Sequence, residues 1–206
     1  TTRCGSADMS QAYDLNLHGQ YRRVAVGFGG NFKQFGTLVG GRDVGPQPFT
    51  GYREGAWDGN LRVHLGKTWF LKLATSSVRQ LDVPRTDRST AADFRLFTHQ
   101  DRDLAYVKVE GSSGRYLDQF KTLVSYQRQR EERARYRIGK DRIEWENDDV
   151  STLGLLVVGG TDTGKWSRLV WGMDLYLDWV ASDASHEKIS TGAQTAPDGT
   201  FRGRFV

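Results

Sequence analysis

Hydrophobic and polar positions alternate with period two from Leu169 to Trp179. Leu169, Trp171, Met173, Leu175, Leu177 and Trp179 share one face. Gly172, Asp174 and Asp178 share the other with Val170 and Tyr176. Successive side chains of a strand point to opposite sides, so the segment predicts a strand with one apolar face. Ten steps of about 3.3 Å, tilted by about 40°, rise about 25 Å, the height of the apolar band on a transmembrane β-barrel. Trp171 and Trp179 lie near the two ends of that face, where aromatic girdles sit. These six residues are therefore expected to face lipid.

The same period recurs upstream. Tyr13, Leu15 and Leu17 alternate with Asp14, Asn16 and His18, and a tight turn near Gly19-Gln20 leads to Val24, Val26 and Phe28. Leu61, Val63 and Leu65 alternate with Asn60, Arg62 and His64; Gly66-Lys67 then turns the chain into Trp69, Leu71 and Leu73. Ala105, Val107 and Val109 form a fifth strand, Val124 and Tyr126 a sixth, and Leu153, Leu155 and Val157 a seventh. Gly159 to Lys165 is read as the turn into the eighth, and Phe201 to Val206 as an unfinished ninth. Long connections are predicted at about 31–55, 80–102 and 127–137, with Pro84 interrupting the second. The expected fold is all-β: about eight to nine antiparallel up-and-down strands, one domain over 1–206, forming part of a large transmembrane barrel. Short turns alternating with long loops are the mark of such barrels, and a soluble sandwich has no reason to sort its loops this way.

Composition agrees. Hydrophobic residues make up 37% of the 206, and mean hydropathy is −0.59. That is thin for a soluble core but ordinary where only a lipid face must be apolar. No apolar run approaches the roughly 20 residues of a membrane helix. Aromatics at 12%, with 24 Gly against 4 Pro, favour strands and tight turns. The net charge of +4 comes from 29 basic and 25 acidic residues, too close to balance to indicate a nucleic-acid partner. Cys4 is the sole cysteine, so no internal disulfide can form.

Candidate chemistry is sparse. Gly159-Gly160-Thr161-Asp162-Thr163-Gly164-Lys165 has the glycine and lysine spacing of a phosphate-binding loop. Trp166 stands where Ser or Thr would hold magnesium, and a strand follows where a helix is required. It is read as a glycine-rich turn. The segment Gln127 to Arg133 interleaves acids with arginines and lacks an apolar face, so it reads as strand ends entering a solvated loop. His18 and His64 alternate with apolar residues and are expected to face water; His99 and His186 are placed in long connections. None is spaced as a zinc pair. Asp148 and Asp149 adjoin, so on a strand they face opposite ways. No cofactor, metal site or catalytic residue is assigned, and an enzyme is not expected.

Several stretches resemble the barrel of TonB-dependent outer-membrane receptors. They are Ser6-Ala7-Asp8, Thr50-Gly51-Tyr52 with Glu54, and Asp82-Val83-Pro84-Arg85-Thr86-Asp87. Arg102-Asp103-Leu104 with Tyr106, and Ser125 through Glu131, follow in order. Asp149 through Leu155, and Trp171 through Tyr176 with Asp178, complete the set. The resemblance implies uptake of scarce ligands (ferric siderophores, haem or cobalamin) across the bacterial outer membrane, driven by the TonB energy-transducing complex. It implies outer-membrane lipid and a ferric chelate or similar small ligand as partners. Arg85, Arg88, Arg95 and Arg102, in a predicted loop, are candidates to attract an anionic chelate. No plug or TonB box is recognised, and such barrels need about 22 strands, so the chain is expected to be an internal barrel section. The competing expectation is a complete eight-stranded outer-membrane barrel acting as anchor or adhesin.

Overall fold

The computed structural model describes residues 1–86, 93–114, 117–164, 166–195 and 200–205, without the side chains of 201 and 202. Its strands in chain order are β1 (Thr2–Cys4), β2 (Gln11–Tyr21), β3 (Val24–Phe35), β4 (Leu38–Val39) and β5 (Pro46–Gln47). They continue with β6 (Tyr52–His64), β7 (Phe70–Pro84), β8 (Asp93–Ser113), β9 (Leu117–Arg137) and β10 (Ile143–Gly164). The last three are β11 (Ser167–Glu187), β12 (Gln194–Thr195) and β13 (Phe201–Phe205). Every pairing is antiparallel. Eleven strands form one sheet, ordered β1-β2-β3-β6-β7-β8-β9-β10-β11, with β12 and β13 both on the β11 edge; β4 and β5 form a separate hairpin. The protein is an all-β, up-and-down antiparallel sheet.

From β2 to β11, neighbouring strands keep a band of one face apolar. Gly19, Val26, Leu61, Leu73, Val107, Val124, Leu155 and Leu175 stand opposite one another in a single row over eight strands. The row beyond it is Leu17, Phe28, Gly59, Thr75, Ala105, Tyr126, Leu153 and Leu177. A slip of one residue anywhere would put apolar side chains on the wrong face, so the alternation itself fixes register. No second layer of described residues covers this face. Among the described residues no hydrophobic side chain is buried, and Val26, Val107, Val124 and Leu175 are each close to half exposed. A β-sandwich would bury this row, so the alternation does not serve a two-layer core.

The connections depart from expectation at one end of the sheet. The segment 127–137, read as a long loop, is strand β9; only residues 138–142 connect it to β10, with Gly139 at φ +81°. β7 reaches Pro84 and β8 begins at Asp93, both inside the predicted connection at 80–102, and the one at 31–55 shrinks to 36–51, which carries the β4–β5 hairpin. Pro84 ends β7 rather than lying within a loop. β11 runs on to Glu187, and β10 continues through the predicted turn to Gly164. Polar alternation carries no hydrophobic signal, yet most residues of these extended strand ends find a cross-strand partner. His99 and His186, expected in loops, both lie in strands. Asp148 and Asp149 do face opposite ways: Asp149 pairs with Arg128, and Asp148 with Arg133 and Ser182.

Candidate functional site

The six residues expected to face lipid all lie on the apolar face of β11. Leu169, Trp171, Met173, Leu175 and Trp179 are exposed, and Leu177 is half-buried. Aromatic rings frame the belt. At the short-turn end, Trp171 shares a row with Phe120, whose ring lies 5.8 Å from that of Trp69. Two glycines explain how these rings fit: a Cβ at Gly159 would collide with the Trp171 ring, and one at Gly111 with Trp69. The bare backbone of a glycine lets the neighbouring strand's indole lie flat on the sheet. Gly159, which suggested a phosphate loop, thus serves as a seat for Trp171; Lys165 of that stretch is outside the described residues. At the opposite end, Trp57 and Trp179 share the row of Ser77, Asp103, Arg128 and Ser151.

From that row onward the same face is ionic. Arg79 binds both carboxylate oxygens of Asp103 at 2.9 Å and lies 3.7 Å from Asp101. Arg128 binds Asp149, and Arg130 reaches the same carboxylate at 3.6 Å. The face is therefore apolar between its aromatic ends and charged above them. Within the belt, the small side chains Thr75 and Ala105 and bare Gly59 leave a shallow hollow of about 620 Å³ among Leu61, Leu73, Val107 and Val124.

On the opposite face, far above the belt, β8, β9 and β10 gather a charged basin. Arg85 and Arg95 lie together there, joined through the Arg85 N–H to the Arg95 carbonyl at 3.0 Å. With Arg133, Arg135, Glu144 and Glu146 they line a cavity of about 250 Å³. An adjoining cavity of about 360 Å³ shares Arg135 and Glu144 and adds Arg137, Lys140, Asp141 and Arg142. Asp93 is the hub: Arg135 donates to it at 3.0 and 2.6 Å, and Arg95 at 3.0 Å. These hydrogen bonds, Arg135 first and Arg95 next, hold its carboxyl far below the usual range. At the rim, Ser190 donates from its hydroxyl and its backbone N–H to Asp141, which lowers that carboxyl as well.

Of the four arginines proposed from the sequence, Arg85 and Arg95 converge in this basin. Arg95 and Arg102 belong to strand β8 and not to a loop; Arg102 stands further along, opposite Val78 and Gln129. Arg88 lies outside the described residues. Arg133 and Arg135 are not among the sequence candidates, because the charge pattern of their segment predicts a solvated loop. Their spacing of two, around Ala134, was the available signal. Among the described residues, no three His, Cys, Asp or Glu side chains are placed to share a metal ion, and no helix is long and apolar enough to cross a membrane, which says nothing of a β-barrel. No family model and no curated protein sequence matches the chain.

Proposed function

We propose that this sheet is part of the barrel of a TonB-dependent outer-membrane receptor, with its apolar face in lipid and the Arg85–Arg95 basin towards ligand. One observation carries the reading: an uncovered apolar belt, eight strands wide, with tryptophans at both of its ends. From strand spacing and belt height its area is about 800 Å². The largest apolar patch on a soluble monomer is typically about 300–600 Å². Hydrocarbon removes the cost of that exposure, and the ionic rows above Trp57 and Trp179 then sit in the hydrated headgroup zone. β13 lies on the edge of β11 rather than joining it to β2, which favours a larger barrel over a closed eight-stranded anchor or adhesin. In lipid, the remaining edge groups must be paired by further strands.

The test is quenching of tryptophan emission by lipids brominated along the acyl chain, with the full-length protein in vesicles. Trp57, Trp69, Trp171 and Trp179 lie at the belt's ends, so bromines near the headgroup should quench more than bromines at the bilayer centre. Absence of quenching at any depth rejects the membrane assignment. For the ligand, uptake of an anionic ferric chelate should fall when Arg85 and Arg95 are both changed to Ser; unchanged uptake removes the basin from the proposal.

A further inference from the structure

The face opposite the apolar belt treats its cations differently at its two ends. In the basin, Arg133 and Arg135 each have carboxylates within 4.0 Å. Towards the short turns, Arg62 on β6, Lys72 on β7 and Lys108 on β8 stand directly opposite one another in one row. Lys121 on β9 follows in the next row, opposite Glu110. Of these four cations only Lys108 has a salt bridge, to Glu110, among the described residues. Like charges directly opposed on neighbouring strands, about 4.8 Å apart, repel.

Aromatic rings steady the row without neutralising it. Arg62 lies 4.1 Å over the Phe70 ring and Lys108 5.9 Å from it, while Lys72 lies 5.6 Å over Tyr106. In the same row, Asp174 is three strands beyond Lys108. A fold that satisfies its arginines internally at one end leaves a surplus of positive charge at the other.

We propose that Arg62, Lys72, Lys108 and Lys121 form a docking surface for an acidic polypeptide segment lying across β6 to β9. The four cations span about 14 Å over four strands, more than one phosphate or carboxylate can reach. An extended chain places alternate side chains about 6.7 Å apart on one face, so two or three carboxylates of one segment meet the cations together. A small anion would need a concave site. The cavity beside Lys72, about 240 Å³, already contains Asp58 in its wall and does not suit one. The proposal goes beyond the transport reading and does not depend on lipid, since it needs only that this face be wet.

The experiment uses the full-length protein and a fluorescent peptide of alternating Asp and Ser, with binding followed by anisotropy at low salt and at about 0.5 M salt. The peptide should bind at low salt and release at high salt. The Lys72→Gln/Lys108→Gln double variant should bind roughly tenfold more weakly, as loss of two partly exposed ion pairs implies, and Arg130→Gln, on the other face of the sheet, should bind unchanged. In the wild-type protein the peptide should also shield Lys72 and Lys121 from an amine-reactive reagent, a readout independent of how the variants fold. Absence of binding, an equal loss in Arg130→Gln, or displacement by an equal concentration of inorganic tripolyphosphate would overturn the proposal.

Discussion

Replacing Val107 with arginine tests the membrane assignment most directly. Val107 sits in the middle row of the belt, between Leu73 and Val124, and its side chain is 44% exposed. If that face meets water, a long polar side chain there disturbs no packed core, and the change should stay within about 0.5 kcal/mol. If it meets hydrocarbon near the bilayer midplane, the guanidinium costs about 2–4 kcal/mol. That difference lowers the folding equilibrium constant by roughly 30- to 700-fold. Two controls give the depth and the face. Leu65→Arg lies at the short-turn margin, where the penalty should fall to about 0–1 kcal/mol. Gln127→Arg lies on the opposite, wet face and should stay within about 0.5 kcal/mol. Leu175→Arg, in the same row as Val107 but at the β11 edge, should follow Val107. Reversible urea unfolding from lipid vesicles, on the full-length protein, measures all four. Equal small effects at Val107, Leu65 and Gln127 would refute the assignment, because only a depth-dependent, one-sided solvent separates them.

Other expectations follow from particular contacts. Gly159→Val should push the Trp171 indole off its seat and cost about 1–3 kcal/mol through overpacking; a matching unfolding midpoint and unshifted Trp171 emission would count against that seat. Asp93 has its pKa lowered in the folded state, so its stabilising contribution is present above the ordinary value of about 3.9 and fades as pH falls through the lower folded value. Amide protection at the basin ends of β8 and β9 should accordingly hold at neutral pH and weaken in strong acid. Asp93→Asn should flatten that dependence, and an undiminished dependence in the variant would assign it to other groups. Lys72→Gln relieves repulsion from Arg62 and Lys108 and should stabilise the sheet by about 0.2–1 kcal/mol, read as a rise in melting temperature; a fall would mean that Lys72 has a favourable partner on the sheet.

Which side chains share a face is legible in the chain alone. Period-two alternation is local, so Leu169 to Trp179, Leu61 to Leu65 and Leu15 to Leu17 showed their apolar sides without reference to any neighbour. Turn chemistry was local too, and Gly66 takes up a φ of +139° in the predicted tight turn. How far the strands extend past the belt depends instead on which neighbours they meet in the folded sheet. From Gln127 to Arg137 no apolar side alternates strongly enough to mark a strand; that segment is a strand because Arg128 meets Asp149, Arg133 meets Glu146 and Arg135 meets Glu144 across β9 and β10. Those partners are separated in sequence and are brought together by register. The basin and the row of opposed cations Arg62, Lys72 and Lys108 arise the same way: charge on a strand takes its meaning from the strand beside it, and a single sequence does not state which residues will stand opposite.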